Sequence, residues 1–326
     1  MKAIKVGTAE SRGPGVAKGF LKVGDLPDGQ PMRIPVVIVR GKADGPTLWL
    51  HGCVHGNEYC GTFIIHETLR SLSTDELKGT VVALPALNIT AFEKSQRMSP
   101  FEGYGGGDLN RCFPGNPNGS LTQQMAHSIY TELKQHADYL VDFHTAMTVD
   151  VRWALYANVP GEVGKKAEGI ARAFGFKSTL PAPPDILAGS AMMAAAKDGI
   201  PAYIIEAGGK GPAFTDEILA DGAERLRNVM RHLEMLPGKV TDYGKLHYFS
   251  NFAWVHAPRG GLFQRAVKCG DRIETGTVLG HYYTLHGEPS GEAKAPHAGI
   301  VLAIHPGPVM GNGETLVHIG LDPREV

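Results

Sequence analysis

The sequence predicts an α/β domain, with helices on both faces of a sheet, followed by a small all-β domain. Apolar runs of strand length alternate with helical runs as far as residue 236, which is typical of an α/β sheet. After Gly238 the helical periodicity stops, and short apolar runs are separated by Gly, Pro and Asp. The chain of 326 residues has room for one large and one small domain. We therefore divide it into residues 1–240 and residues 241–326.

The alternation can be followed element by element before residue 240. Strands are predicted at 32–40, 47–50, 80–87, 139–143, 151–157 and 202–205, where apolar residues run together. Helices are predicted at 58–72, 121–136, 162–174, 190–197 and 215–236, where apolar residues recur at helical spacing. A turn is predicted between Pro181 and Pro184. Residues 88–118 are rich in Gly, Pro, Asn and Ser, which is typical of a long functional loop.

Two similar segments predict the architecture of the β-rich domain. Residues 257–262 read Ala-Pro-Arg-Gly-Gly-Leu, and residues 295–300 read Ala-Pro-His-Ala-Gly-Ile. Each segment is followed by a glycine-containing turn and a further strand-like run. Two similar β units predict a small sandwich or barrel that is built from two halves.

Composition narrows the class of function. With 43% hydrophobic and 20% charged residues, the chain has the apolar content of a folded globular protein. Its 32 basic and 33 acidic residues leave a net charge of -1. A nucleic-acid-binding protein normally has a basic surplus, so this charge balance argues against a nucleic-acid partner. No apolar stretch reaches the roughly 18 residues that a membrane span needs. A small polar substrate fits these observations better than a polyanion or a membrane.

Two further observations favour a cytoplasmic location. The first ten residues lack the charged and apolar regions of a secretory signal. The four cysteines form no Cys-x-x-Cys pair, and we interpret them as reduced thiols. Assembly into a homo-oligomer stays an open alternative, because the sequence does not reveal the oligomeric state.

Metal-type side chains follow three of the predicted strands: His55 and Glu58 after 47–50, His144 after 139–143, and Glu206 after 202–205. In an open α/β sheet such residues meet beyond the carboxyl ends of the strands. Zinc takes imidazole nitrogen and carboxylate oxygen as ligands, and a catalytic site uses three protein ligands. We therefore predict one metal site made by His55, Glu58 and His144, with Glu206 at the same edge.

Alternatives stay open around this site. A His-x-x-Glu pair alone is a weak signal, so the prediction depends on finding all the groups after strands. His51, at the end of the same strand, is a competing ligand. Asp142, two residues before His144, either orients that imidazole or points elsewhere. Two histidines and one carboxylate suit zinc best, but they also suit cobalt, nickel or iron.

Four motifs in a fixed order make a more specific signal. They are residues 52–58 (Gly-Cys-Val-His-Gly-Asn-Glu), residues 108–115 (Asp-Leu-Asn-Arg-Cys-Phe-Pro-Gly), residues 142–144 (Asp-Phe-His) and residues 205–208 (Ile-Glu-Ala-Gly). Through them residues 45–235 resemble the succinylglutamate desuccinylase/aspartoacylase family, which is related to the zinc carboxypeptidases. The resemblance implies a mixed-sheet, zinc carboxypeptidase-like catalytic domain over residues 1–240 and one zinc ion per chain. The β-rich tail is similar to the second domain of the family, through weaker motifs.

The resemblance also implies roles for individual residues. Glu206 would be the catalytic base that takes a proton from zinc-bound water. Arg97, in the sequence Ser-Gln-Arg-Met, would polarise the scissile carbonyl and stabilise the oxyanion. Asn110 and Arg111 would hold the substrate carboxylate, to which a planar guanidinium offers a bidentate fork.

Together these residues predict the hydrolysis of a small N-acyl amino acid, with acetyl or succinyl as the acyl group. Arg152 would either contact that acyl group or pair with Asp150. N-succinylglutamate, N-acetylaspartate and N-acetyl-2,4-diaminobutyrate are substrates within the family, and the sequence does not choose among them.

Two other functions stay open. One is a zinc exopeptidase, which a second domain closing over the cleft would disfavour, because that domain would exclude longer chains. The other is a non-catalytic metal-binding or carrier protein, since the β-rich tail resembles biotinyl or lipoyl domains that carry a cofactor on a lysine at a hairpin tip. Residues 282–294 are the candidate hairpin, but Lys294 precedes Ala-Pro and has no obvious place on a turn.

Overall fold

The computed structural model describes residues 3–102 and 107–326. Within them the chain forms a ten-stranded mixed sheet with helices on both faces, and two four-stranded antiparallel sheets. The predicted fold class is therefore confirmed. Residues 103–106, which belong to the predicted loop 88–118, lie outside the described residues.

Ten strands and six α-helices precede residue 240 in the described chain. The strands are β1 (Ile4–Val6), β2 (Ala9–Ser11), β3 (Gly15–Asp25), β4 (Pro31–Arg40), β5 (Ala43–His51), β6 (Lys78–Leu84), β7 (Tyr139–His144), β8 (Arg152–Ala157), β9 (Ser178–Ala182) and β10 (Ala202–Ala207). The helices are α1 (Cys60–Ser71), α2 (Ile89–Glu93), α3 (Leu121–His136), α4 (Glu162–Phe174), α5 (Ala191–Lys197) and α6 (Asp216–His232). A short 3-10 helix, Leu109–Arg111, lies between α2 and α3.

Ten more strands follow residue 240. They are β11 (His247–Tyr248), β12 (Asn251–His256), β13 (Gly261–Arg265), β14 (Arg272–Ile273), β15 (Val278–Tyr283), β16 (Pro289–Lys294), β17 (Gly299–Ile304), β18 (Val309–Met310), β19 (Thr315–Leu321) and β20 (Arg324–Glu325). One antiparallel sheet has the order β12-β19-β17-β14 and the other β16-β15-β13-β18. Both sheets contribute to one buried core, which includes Phe263, Leu279 and Val317. The two-half β architecture was predicted.

The large sheet has the order β20-β11-β9-β8-β10-β7-β5-β6-β4-β3. Its centre is parallel, because β10, β7, β5 and β6 all run in the same direction. One buried cluster on the sheet takes in α3 and α5, and a second takes in α1, α4 and α6. The apolar residues of the central strands are therefore covered from both sides.

Local signals explain why two helices lie where the sequence predicts them. Ser120 begins α3 with a capping box, in which its side chain and that of Gln123 each accept the other's backbone N–H. Gly175 in a left-handed conformation ends α4. The predicted helix 215–236 is capped by Thr215 but ends at His232, because Glu234 takes a positive φ of 58° that a helix cannot continue.

Two predictions of local structure are incomplete or wrong. The prediction begins at residue 32 and omits β1, β2 and β3. In β3, at the edge of the large sheet, exposed Lys18 and Lys22 and three glycines interrupt the apolar pattern. The turn predicted between Pro181 and Pro184 lies about two residues later: Pro181 belongs to β9 as the register partner of Tyr156 in β8, and the turn begins at Pro183, whose carbonyl oxygen accepts the N–H of Ile186. Pairing within the sheet overrides the turn preference of an isolated proline pair.

The division of the chain at residue 240 stays a prediction. The two small sheets follow it, but β11 and β20 add to the edge of the large sheet. The β-rich segment therefore packs directly against the α/β segment. Among the helices of the described ranges, none combines the length and apolarity needed to cross a bilayer.

Candidate metal centre and the cavity around it

Strand register brings His144 and Glu206 side by side. In the parallel pairing of β7 with β10, these two residues are register partners. In the parallel pairing of β5 with β7, His51 is the partner of Asp142. Because the three strands end at one edge of the sheet, the groups that follow them gather there.

The segment between β5 and α1 carries His55 and Glu58. Gly56 packs against the backbone of α2, where an added Cβ atom would overlap the main chain. Cys53 adopts a positive φ of 45°, which is uncommon for any residue other than glycine. This constrained path places His55 and Glu58, both almost fully buried, beside His144.

Three donor groups converge at this edge of the sheet. Nδ1 of His55 lies 2.9 Å from Oε1 of Glu58 and 3.2 Å from Nδ1 of His144. Nδ1 of His144 lies 3.1 Å from Oε2 of Glu58. The donor atoms of the three residues all lie within 4.8 Å of one another. Two imidazoles and one carboxylate in this arrangement can hold one metal ion.

The other imidazole nitrogens face carboxylates. Nε2 of His55 is hydrogen-bonded to Oδ1 of Asp108 at 3.1 Å, and Nε2 of His144 lies 3.3 Å from Oδ2 of Asp142. A carboxylate there stabilises a proton on Nε2 and leaves the Nδ1 lone pair free to bind a cation. Two lone pairs and a carboxylate that face one another repel in the absence of positive charge, so this donor set fits a divalent metal.

The carboxylate of Glu58 is held in its ionised form. Burial alone would raise its pKa, but positive charge at His55 and hydrogen bonds from the two imidazoles, in the place that a bound cation would otherwise take, hold the pKa well below its ordinary value. The backbone N–H of Thr145 donates to Oε2 at 3.2 Å, and Nη1 of Arg97 donates to Oε1 at 3.3 Å. Both oxygens are therefore fixed in place as well as charged.

Asp108 connects several of these groups, although the sequence interpretation assigned it no role. Besides His55, it accepts hydrogen bonds from Nη2 of Arg97 at 3.2 Å and from the backbone N–H of Asn110 at 3.0 Å. Burial alone would raise its pKa, but the hydrogen bond from His55 and the charges of Arg97 and Arg111 hold the pKa well below its ordinary range. The rule that a ligating histidine faces a carboxylate could have identified it within the motif of residues 108–115.

Glu206 is a second carboxylate beside the donor set. Its Oε2 is shielded from solvent and has no hydrogen-bond partner in the described part of the chain. Burial raises its pKa to about 7, with His144 acting in the opposite direction and Glu58 adding to the increase. A carboxyl group with this pKa can both accept and release a proton near neutral pH.

Arg97, Asn110 and Arg111 also line the cavity. Arg97 is 37% exposed and bridges Glu58 and Asp108. Asn110 is buried, with its Nδ2 3.5 Å from Nε2 of His144 and its Oδ1 accepting the backbone N–H at the start of α5. The side chain of Arg111 is exposed at the cavity, with Nη1 donating to the backbone oxygen of Asn110 at 2.9 Å.

Arg152 lies apart from these groups. It is exposed and is not among the cavity-lining residues, whereas Trp153 is buried and lines the cavity. Side chains alternate along β8, so Trp153 shares a sheet face with its register partner Glu206 and Arg152 points to the other face. The alternative pairing with Asp150 is not observed either, because Asp150 contacts Arg265 at 3.5 Å.

His51 is not part of the donor set. It is fully buried, and its Nδ1 lies 3.9 Å from Oδ1 of Asp142. Burial lowers its pKa to about 4, so the imidazole is neutral at physiological pH. The competing ligand considered from the sequence therefore lies beneath the site.

The cavity has a volume of about 270 Å³. Its cationic side chains are Arg97, Arg111 and Lys210, and its aromatic wall contains Trp153, Phe252, Trp254 and His318. Three of these four aromatic residues belong to β12 and β19 in the β-rich segment. Sequence interpretation missed this wall, because the strand patterns of β12 and β19 do not reveal which element they pack against.

These features define the class, namely an α/β protein with a candidate one-metal centre of the kind that hydrolases use. Residues 44–233, more than half of the chain, match the model of the succinylglutamate desuccinylase/aspartoacylase catalytic domain, and the chain belongs to this family. The resemblance predicted from the four motifs is therefore confirmed.

Similar proteins extend over almost the whole chain. N-alpha-acetyl-L-2,4-diaminobutyric acid deacetylase of Halomonas elongata is 28% identical over 308 residues, which cover 91% of this chain and 89% of the relative. The product-bound ectoine utilization protein EutE (DoeB) from Ruegeria pomeroyi is 27% identical with a TM-score of 0.82, over 94% of this chain and 96% of that chain. A succinylglutamate desuccinylase/aspartoacylase from Rhodobacter sphaeroides is 25% identical with a TM-score of 0.80, over 95% of this chain and 96% of that chain. These similarities support a deacylase-type hydrolase.

Proposed function

We propose that this protein is a zinc-dependent hydrolase of N-acyl amino acids, which releases a carboxylic acid and an amino acid with a free amine. One observation carries the proposal. The donor atoms of His55, Glu58 and His144 lie within 4.8 Å of one another in the same cavity as Glu206. A metal centre with a carboxyl group of near-neutral pKa beside it is suited to amide hydrolysis.

The proposed metal ligands are Nδ1 of His55, Nδ1 of His144 and the carboxylate of Glu58. Two imidazoles and one carboxylate are a donor set that zinc favours, and cobalt, nickel and iron are the alternatives. When bound, such a cation polarises the amide carbonyl and lowers the pKa of water. Asp108 and Asp142 orient the two imidazoles for this role.

Glu206 is the proposed catalytic base. Its free Oε2 takes a proton from the attacking water, and the same carboxyl group then gives the proton to the leaving amine. A pKa of about 7 supports both transfers, because neither form of the group is strongly favoured at neutral pH.

Two arginines are proposed to bind the substrate. Arg97, held by Glu58 and Asp108, presents a fixed positive charge to the oxyanion that develops on the carbonyl oxygen. Arg111 offers its exposed guanidinium to the substrate carboxylate, and Asn110 orients Arg111 through its backbone oxygen. Arg152 has no part in this proposal, since its side chain is outside the cavity.

The alternatives fit less well. A zinc exopeptidase needs room for a peptide chain, whereas the cavity, lined on one side by residues of β12 and β19, has a volume of only about 270 Å³. In the hairpin of β15 and β16 the turn residues are Thr284 to Glu288, so Lys294 lies at the end of β16 rather than at a tip. A carrier function therefore lacks its attachment site there.

The relatives suggest the first substrates to test. One of them is named for the deacetylation of N-alpha-acetyl-L-2,4-diaminobutyric acid, so acetyl is the first acyl group to examine, followed by succinyl. Zinc content measured by elemental analysis, together with amine release from N-acyl amino acids, tests the proposal. We expect about one zinc ion per chain and turnover of at least one substrate.

A matched pair of variants sharpens this experiment. The His55→Ala/His144→Ala protein should lose both metal and activity, while His281→Ala, which alters a half-exposed histidine of β15, should keep both. A wild-type protein that binds no metal, or a double variant with unchanged metal content, would overturn the proposal and restore the binding-protein alternative.

A further inference from the structure

The aromatic wall of the cavity is built by a cross-strand pair. Trp254 of β12 and His318 of β19 are register partners, and their ring centroids lie 3.9 Å apart. The neighbours of His318 in β19, Val317 and Ile319, point the other way into the core of the β-rich segment. His318 therefore stands on the face that lines the catalytic cavity.

His318 is a buried polar side chain without partners. It is 5% exposed, and neither ring nitrogen has a hydrogen-bond partner within the described residues. Burial lowers its pKa to about 3, and the charges of Lys210 and Arg97 act in the same direction. The imidazole is therefore neutral at working pH, with one N–H donor and one lone pair both unsatisfied.

Trp153 contributes a second unsatisfied donor to the same wall. Its ring lies edge-on to His318 with a centroid distance of 6.4 Å, and its Nε1 is buried without a partner among the described residues. Buried donors are almost always paired in proteins, so two unpaired groups on one cavity wall indicate that a ligand completes them. Trp153 is also the register partner of Glu206, so this wall and the proposed catalytic carboxyl group belong to one cavity.

The charges of the cavity define what this wall accepts. Lys210 and Arg97 act on His318, whereas the cavity-lining carboxylates, Glu58 and Glu206, are already assigned to the metal and to proton transfer. An ammonium group at the wall would meet like charge and find no free carboxylate. A carbonyl oxygen, in a carboxamide or a carboxylate, would accept from the N–H groups instead.

We propose that His318 and Trp153 form a specificity subsite, which hydrogen-bonds a carbonyl-type oxygen at the far end of the substrate and disfavours an ammonium there. The subsite rests on the proposed N-acyl amino acid hydrolase. The oxygen belongs either to the amino-acid side chain or to the acyl chain of the substrate. In both cases it is a carbonyl-type oxygen that accepts a hydrogen bond from the subsite. Phe252 and Trp254 supply the apolar surface along which the intervening carbons lie.

Pairs of substrates with the same shape test the subsite. N-acetylasparagine and N-acetylleucine differ in the side chain, and N-succinylalanine and N-(4-methylpentanoyl)alanine differ in the acyl chain. We expect the oxygen-bearing member of one pair to have a kcat/KM at least about tenfold higher, because a site built for a hydrogen bond rejects an analogue without it. N-acetyl-2,4-diaminobutyrate should be a poorer substrate than N-acetylasparagine.

Variants of the wall complete the test. The quantity to compare is the ratio of kcat/KM for the oxygen-bearing substrate to that for its apolar partner. His318→Phe should reduce this ratio to near one, and Trp153→Phe should reduce it in part. His318→Gln, which retains a donor and an acceptor, should keep part of the ratio that His318→Phe loses. His281→Phe, which alters a histidine of β15 away from the cavity, should leave the ratio as it is. Equal rates within both pairs, or a preference that survives His318→Phe, would overturn the subsite.

A binding measurement separates this inference from the proposed function. Calorimetry on Glu206→Gln protein, with and without His318→Phe, gives the affinity ratio for each pair of compounds without turnover. Absence of hydrolysis across all substrates counts against the hydrolase, while the affinity ratios still decide the subsite. Equal affinities within both pairs would overturn it.

Discussion

Nδ1 of His55 and Nδ1 of His144 lie 3.2 Å apart, and the Nε2 atom of each imidazole faces an aspartate. This arrangement directs two lone pairs at one point beside the carboxylate of Glu58. A cation at that point removes their mutual repulsion, which is why the site is suited to metal.

Asp108 should control metal affinity through His55. Asp108→Asn keeps the shape but removes the charge that holds the proton on Nε2 of His55, and we expect metal affinity to fall about 10–100-fold. Competition with a chromogenic chelator measures this change. Asp185→Asn, in the loop before α5, is the control with the same chemical change. An unaltered metal affinity in Asp108→Asn would show that Asp108 does not control metal binding.

Glu206 should be needed for turnover but not for metal binding. Glu206→Gln removes the base while preserving size, and we expect kcat to fall by about 10²–10⁴ with zinc content unchanged. Amine release and elemental analysis on the same preparation measure both. Glu217→Gln, at the exposed start of α6, is the matched control. Loss of metal together with activity would instead make Glu206 a ligand.

Arg111 should act through substrate binding. Arg111→Lys keeps the charge but loses the planar fork, so we expect KM to rise about tenfold or more with a smaller effect on kcat. Steady-state kinetics separate the two parameters. An unchanged KM would mean that another group holds the substrate carboxylate.

The acid side of the pH profile should report Glu206. Burial raises its pKa to about 7, and only the ionised form accepts a proton from water. kcat/KM should therefore fall as pH decreases below about 7, and a bound cation can move this limb only to lower pH, because it favours the carboxylate. Rates of zinc-loaded protein between pH 4 and 8 measure it. A profile that rises towards acid pH would contradict the assignment of Glu206 as base.

Gly61 should be sensitive to a single methyl group. An added Cβ atom would overlap the side chain of Phe143, where α1 packs on β7, and such overpacking typically costs about 1–3 kcal/mol. Urea unfolding of Gly61→Ala measures the loss. Gly13→Ala is the control, since a Cβ there meets nothing within 4 Å. Equal stability of the two variants would show that the helix can shift without penalty.

Much of the fold could be predicted from periodicity alone. The central strands are buried on both faces and form continuous apolar runs, and α3 and α4 carry clear end signals, so their bounds agree with the prediction. Edge strand β3 and the proline-containing β9 were not predicted, because their pairing partners rather than their own sequences stabilise them.

The sequence by itself determined the family, the α/β class and the order in which candidate ligands follow the strands, because these depend on local pattern and motif spacing. Only the tertiary structure decided that His51 lies beneath the site, that Trp153 rather than Arg152 faces the cavity, and that His318 lines the cavity from another sheet. These outcomes depend on strand register and sheet packing. A shift of one residue exchanges the two faces of a strand, and nothing local to the residue reveals which face meets the cavity.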